Sequence, residues 1–585
     1  MDLLTFTLKR TTLLFLIFCR ALIADAQNFS LTGSTAWENA GLAEPFDIPE
    51  YEVNILDFGA DNTGTTSNNA AYSSAISSLN GATGTVYFPE GEYLFESGIS
   101  VPSNTVLKGE SVETVLKFDL GGNGDAIRVT GTLHSQEYAL TTAAAKGSYS
   151  IEVSDGTAFE VGQLVRLGLD DEDIMYSSWA YGTLGQVNEI IGINGNVLEL
   201  ADPLNRAYPL VRSPYVRRIE PVRNVGISCF KIIRADATAG QTDNIHFRNT
   251  FNCFVRNIES FNCNFGHLTV QSSAHIQIEN SYFHHAHAYG GGGQAYGVVF
   301  QEAASFNMAQ NNSFEHLRHS MLLQSGANGN VYGYNYSIDP YWVSGFLPSN
   351  SAGDAVLHGN HTYLNLFEGN VVQNIVVDAS HGDNGPHNTF FRNRAELYGF
   401  FSDSETPTDS INIIGNEITN SGFPYGLFMT NGNGHQVYGN NVFGTVNPSE
   451  YLNLESLYLN EYEEFDVLDF SQLPFIGYPF SINSQNIPAQ QNYLNGTPVS
   501  CSSLVTSAEH ISDIKPISAV GNEILIEEQL LPCKIQIVDM SGRLINETEC
   551  NQSFASIPSV PATGVYVIRA VGRKEIHNIK VLLTP

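Results

Sequence analysis

The chain is short of positive charge: 27 Lys and Arg stand against 60 Asp and Glu, giving a formal charge of -33 over 585 residues. So acidic a surface repels phosphate backbones and anionic lipid, which excludes nucleic acid and membrane surfaces as partners and favours divalent cations. Long apolar runs are missing as well. After residue 26 none is long enough to cross a bilayer, so no membrane span is expected. Cysteine is sparse: beyond Cys19 there are Cys229, Cys253, Cys263, Cys501, Cys533 and Cys550, and no spacing among them resembles a zinc knuckle. Helical periodicity is confined to one short stretch carrying Ala71, Ala75 and Leu79 on a single face.

What the chain does have is a leader and a repeat. Lys9 and Arg10, an apolar run from Leu13 to Ile23 and Ala24-Asp25-Ala26 read as a signal peptide over 1–26, which places the mature protein outside the cytoplasm. The repeat runs along Asn257, Asn280, Asn311, Asn335, Asn370, Asn393, Asn416 and Asn440, with steps of 23, 31, 24, 35, 23, 23 and 24. Such a period marks a solenoid, whose repeats bury their apolar faces only by stacking. The flanking segments, Ile411 to Ile414 among them, are short, β-rich and bounded by Gly or Asn. Asparagine suits the turns because it tolerates left-handed backbone angles and its amide can bond the amide of the next coil. The expected fold is all-β: a right-handed parallel β-helix with an asparagine ladder, a short N-terminal capping helix, an inserted β domain and a C-terminal β-sandwich. Cys229 and Cys253, 24 residues apart, are expected to stack on adjacent coils, with their bonding left open.

The organisation expected is a signal peptide (1–26), a cap with the first coils (27–131), an inserted β subdomain (132–223), coils with the active face (224–480), a linker (481–510) and a terminal domain (511–585). Val53-Asn-Ile-Leu-Asp-Phe-Gly-Ala-Asp61, the short helix and Val86-Tyr-Phe-Pro-Glu-Gly-Glu-Tyr93 resemble the opening of the pectate-lyase superfamily in its rhamnogalacturonase and epimerase-like branch. That resemblance implies a parallel β-helix and activity on polysaccharides as a lyase or a glycoside hydrolase. Lys534 to Ile545, Gly564 to Arg569 and the final Lys580-Val-Leu-Leu resemble the C-terminal sorting domain of type IX secretion substrates. It implies export across an outer membrane, with that membrane's secretion machinery as a partner. The Asn-Thr-Asp, Asp-Asp, Gly-His-Gly and Arg-Ile-Lys motifs of polygalacturonases do not survive here, so no catalytic residue is carried over.

In the insert, Tyr176, Trp179 and Tyr181 suit either sugar stacking or the insert's own core. Arg212, Arg217, Arg218, Arg223, Lys231 and Arg234 form the one dense basic run, read as a solvated face or a polyanion patch. The two long ladder steps are the places to look for chemistry, since solenoid insertions gather on the binding face. The first carries His284, His287, Tyr289 and Gly290 to Gly293; the second carries Tyr341, Trp342 and Asp354. These six side chains are the expected substrate contacts, with the glycines forming a flap. Nine of sixteen histidines lie between positions 284 and 387, where uniform scatter would put about three.

Aligning the strand ends gives a column Gln271, Gln301, Gln324, His358, Asp378, Ser402, with Glu302 and Asp403 in the next column. The glutamines are expected to be filler. His358 and Asp378 are expected to touch, since coils rise by about 4.8 Å. Three chemistries fit. In β-elimination of a uronate, His319 or His358 is base and Arg318, His381 or Ca²⁺ on Asp378 and Asp403 neutralises the carboxylate. In hydrolysis, Asp378 and Asp403 flank the bond. In the third, His358, His361, Asp378 and His381 hold a transition metal. Elimination is preferred to hydrolysis, and the rival of another class is a non-catalytic glycan-binding or adhesive solenoid.

Overall fold

The computed structural model describes residues 31–46, 48–290, 292–341, 353–403, 407–447, 456–459, 476–477, 486–501 and seven strands between 517 and 583. The signal peptide, Trp342 and much of 481–510 lie outside these residues. The chain divides into Met1–Cys501 and Ser502–Pro585.

The first unit is a parallel β-helix. One face stacks twelve strands from Glu52–Asn54 through Leu366–Glu368 to Gln436–Tyr438, each hydrogen-bonded in parallel to the next coil. The other two faces share a long sheet: the second holds strands such as Tyr282–His284 and Ser313–Glu315, the third strands such as Tyr296–Gln301 and Gly353–Leu357. Inside, Phe300, Tyr332, Phe367 and Phe390 pile ring on ring at 4.9, 5.2 and 5.0 Å, the spacing set by strand pairing. The helix Asn69–Ser78 buries Ala71, Tyr72 and Ala75, with Leu79 following, as its periodicity predicts.

The ladder is real but its register is shifted by one residue over the early coils. The bonded series is Asn312, Asn335, Asn370, Asn393, Asn416 and Asn440, each Nδ2 donating to the next Oδ1 at 2.9–3.0 Å. Asn311 occupies the preceding left-handed turn position (φ 53°) and pairs instead with Asn280. A second ladder, Asn307–Asn330–Asn365–Asn388, holds another turn and went unread in the sequence.

Cys229 does not bond Cys253. It forms a disulfide with Cys501, while Cys253 and Cys263 are free and buried. Cys229 and Cys253 do not stack on adjacent coils either: Ser228 pairs Arg256, so Cys229, at a left-handed turn position (φ 61°), falls beside Asn257, four residues past Cys253.

Between Thr130 and Val222 the chain leaves the coil and builds a six-stranded antiparallel sheet, Ser150–Glu152, Val197–Leu200, Gly185–Asn194, Leu164–Gly168, Tyr215–Glu220 and Thr132–Ala139 in spatial order. Its apolar cluster takes in Tyr363 and Leu364 of the coils, so it is packed against them and not tethered. Arg166 donates to Ser272 Oγ, Asn205 to Asn328 Oδ1 and Tyr363 to the Gly185 carbonyl, which fastens the sheet beside the third face.

The second unit holds antiparallel sheets of three and four strands. Among the described residues no helix is long and apolar enough to cross a membrane.

Candidate functional site

Both ladder insertions fall at the same turn, between second-face and third-face strands: one after His284, the other after Ile338. They flank the third face on one side, and the inserted sheet flanks it on the other. Strand parity sends Leu268, Val270, Val298, Phe300, Leu323, Leu357 and Val377 into the core. The residues between them face outward, so the Gln271–Gln301–Gln324 column lines the outer face and is not interior filler.

That column runs on into His358 and Asp378, because Leu323 pairs Leu357 and Leu357 pairs Val377. Val377 then pairs Ser402, so Asp403, not Ser402, stacks on Asp378. The one-residue correction comes from an irregularity between Val372 and Asn374 that lets the next strand take extra residues.

His358 Nδ1 lies 2.6 Å from Asp378 Oδ2, with side-chain exposures of 4% and 0%. Burial alone would raise the Asp378 carboxyl; the His358 charge and hydrogen bond, with the Ser380 amide on Oδ1, outweigh it and hold the group well below the carboxylate range. An ionised carboxylate can only accept, so His358 donates to it from Nδ1.

Two further imidazoles flank His358. His319 stands 5.2 Å away ring to ring and His381 4.9 Å on its other side. Burial and the neighbouring His358 charge push both down, His381 to about 4, so both are neutral near pH 7. The Nε2 of His319 is buried without a hydrogen-bond partner. Tyr296 packs 5.0 Å from His319, and burial lifts its phenol to about 12. Arg318 is buried beside them, donates to the Gly290 carbonyl of the glycine-rich loop and adds its charge to the surroundings of His319 and His381.

Thus His358, Asp378, His319, His381 and Arg318 come together. Asp403 is buried one coil on, stacked on Asp378, and the remaining residues do not join them. His284 bonds Glu259 and His285, and His287 bonds the Arg234 carbonyl. Tyr289 and Tyr341 stack on each other at 4.3 Å beside His316. Asp354 is a scaffold group: it accepts from Ser320, Ser337 and the amides of Gln373 and Asn374. His361 sits on the next turn, 5.9 Å from Tyr363, pushed down to about 3 by burial and the charges of Arg206 and Arg212.

For metals, the donor set is His319, His358 and Asp378, whose ligand atoms all lie within 4.8 Å of one another. Two imidazoles and one carboxylate suit a transition metal, not Ca²⁺. The expected Asp378–Asp403 calcium pair fits poorly, since both Asp378 oxygens are engaged by His358 and Ser380. Of the six residues in the basic run, four are engaged in ion pairs: Arg212 with Asp173, Arg223 with Glu189, Lys231 with Glu259 and Arg234 with Asp236.

Sequence reading missed one cluster. Asp125, Asp243 and His246 converge on the same face several coils earlier, and His246 Nδ1 is 3.1 Å from Asp125 and 3.6 Å from Asp243. Burial raises Asp243 to about 7, and on His246 the two carboxylates and Gln271 outweigh burial and lift it to about 9. Asp125, with Arg128 and His246 near it, is lowered against its own burial. A histidine raised in the folded state stabilises below its unfolded value, and that stability goes as pH climbs to about 9. The expected result is a loss of about 3 kcal/mol between roughly pH 6.5 and 9. Denaturant melts across that range should show it, and His246→Gln should flatten the curve.

Residues 52–147 match the profile described as rhamnogalacturonase A/epimerase, pectate lyase-like. A comparison with curated proteins returned no match. Among solved structures, the tailspike gp49 of Pseudomonas phage LKA1 is 14% identical, with 63% of this chain and 64% of the tailspike covered at a TM-score of 0.44. This chain therefore spans less than two thirds of that protein's length. An exopolygalacturonase of Thermotoga maritima is 13% identical over 66% of this chain and 84% of its own, at 0.39. PfbA, a surface adhesin of Streptococcus pneumoniae, is 13% identical over the same shares, at 0.34. Likenesses this distant carry no argument about activity, and the fold stands on the strand pairing itself.

Proposed function

We propose that the protein cleaves a uronate-containing polysaccharide by β-elimination at the third-face site. The observation that carries the reading is the 2.6 Å contact between His358 Nδ1 and Asp378, which fixes the ring so that Nε2 of its neutral form serves as the base. In this mechanism Nε2 takes the proton from C5 of the uronate. Arg318 offsets the charge that builds on the carboxylate, a double bond forms between C4 and C5, and the C4–O bond breaks. The departing oxygen takes a proton from Tyr296, whose phenol burial keeps protonated. The orphaned His319 Nε2 is a polar partner for the sugar carboxylate or a hydroxyl.

A hydrolase needs one raised and one ordinary carboxyl. Asp378 is depressed and partnered, which disfavours it as the acid.

The test is a panel of acidic and neutral polysaccharides, read for new reducing ends and for ultraviolet-absorbing unsaturated ends together. The expected outcome is both signals rising in step on a uronan, unchanged by a chelator. Reducing ends without unsaturation would overturn elimination, and loss of activity on chelation would assign the three-donor cluster to a metal. A panel that binds but never turns over would favour the glycan-binding solenoid. Export through the type IX machinery, and hence a secreted or cell-surface location, is part of the same proposal; it rests on the leader and on the terminal segment's resemblance to sorting domains.

A further inference from the structure

His319, His358 and Asp378 are almost out of solvent, at 0%, 3% and 1% exposure. A polymer therefore has to approach past the more open members of the cluster. His381 is one of these, and the surface around it comes from the inserted sheet.

The loop Tyr176–Tyr181 reaches the coils more than 180 residues away in sequence. The amides of Tyr176 and Ser177 both donate to Asn360 Oδ1, at 3.1 and 2.9 Å, two residues after His358. Ser177 Oγ lies 3.2 Å from His381 Nδ1, and the Trp179 ring meets His381 edge-on at 5.4 Å. Tyr176 packs so closely over Gly382 that a Cβ there would stand 2.5 Å from the tyrosine Cβ. At the loop's base, buried Asp171 accepts the amides of Gly182 and Leu184, at 2.7 and 2.9 Å. This is a fastened loop, built onto the site.

Its aromatic rings are not spent on packing. Tyr176, Trp179 and Tyr181 are 70%, 49% and 41% exposed, while the insert's apolar cluster is made by Leu167, Leu169, Met175 and Leu184 instead. Three large rings held in the open within six residues form a surface that a monomer has no structural reason to keep. Tyrosine and tryptophan combine a flat apolar face with a polar tip, which matches a pyranose ring, whose axial C–H groups make one face apolar and whose hydroxyls ring its edge.

We propose that Tyr176 and Trp179 form a saccharide-binding subsite, stacking one pyranose ring of the polymer immediately beside His381. The inserted sheet thereby supplies one wall of the site and is not a bystander. The proposal rests on the polysaccharide reading above, and it concerns binding alone, with no claim on which bond breaks.

The test uses the full chain carrying His358→Gln, which halts turnover, in native gels cast with polygalacturonate, alginate or neutral dextran. Expected is retardation by an acidic polysaccharide, weakened about tenfold in apparent Kd by adding Trp179→Ala and largely restored by Trp179→Phe, since one such contact is worth on the order of 1 kcal/mol. Thermal melts should be unchanged, because the ring is half exposed. If the protein is retarded and Trp179→Ala leaves Kd within about twofold, the subsite is overturned while the polysaccharide reading stands. If no gel retards the protein, both fall together.

Discussion

Replacing His358 with glutamine is expected to lower kcat/KM on the uronan by about a thousandfold, inside the 10²–10⁴ range of general acid–base catalysis. Glutamine is chosen over alanine because it can still donate to Asp378. Alanine would strand an ionised carboxylate that is 1% exposed, at a cost of about 3–5 kcal/mol, and mix a folding defect into the rate. Asp378→Asn should cost a similar factor by another route. An amide in that place can donate to Nδ1, which moves the imidazole proton to Nε2 and removes the lone pair from the side facing the substrate. His319→Gln is expected to act mainly on KM, because in the proposed mechanism Nε2 holds the sugar and does not take the proton. Initial rates of double-bond formation measure all three.

The second large effect is on stability. Asn393→Ala should destabilise the β-helix by about 3–5 kcal/mol, seen as a lower denaturant midpoint. The side chain is fully buried, donates to the Phe367 carbonyl and Asn416 Oδ1, and accepts from the amide and the Nδ2 of Asn370. Removing it leaves several buried polar groups without partners, each worth roughly 1–3 kcal/mol. Asn311→Ala should cost only about 1 kcal/mol, since its side chain donates a single hydrogen bond, to Asn280. Asn312→Ala, one residue on, should behave like Asn393→Ala. The contrast tests the corrected ladder register directly.

Those two asparagines show what was legible in the sequence and what was not. The period of 23 was plain, and with it the solenoid. Where Asn311 and Asn312 stand side by side, though, spacing alone favours neither, and only the backbone decides: φ of 53° puts Asn311 in the turn and Asn312 in the ladder. The meeting of His358 with Asp378 was legible because neighbours one coil apart stack at a known rise. Asp403 was misplaced by one column because a strand irregularity leaves no mark in the pattern of apolar residues. Asp125 and Asp243 went unread as neighbours because the inserted sheet separates them by 118 residues, though the register sets Ile127 beside Ile245. The Trp179–His381 contact lies beyond any periodicity. It depends on how an antiparallel sheet docks against a solenoid, and that is settled by packing among Tyr363, Leu364 and the insert's core.

In the proposed mechanism the bond is broken by elimination at His358, without water. It is tested most directly by letting the wild-type protein cleave the uronan in heavy-oxygen water and weighing the products by mass spectrometry. Expected are fragments whose new non-reducing ends lack the elements of water, with no heavy oxygen introduced by cleavage, and no such products from His358→Gln. Heavy oxygen in saturated fragments, formed equally well by the His358 variant, would contradict it.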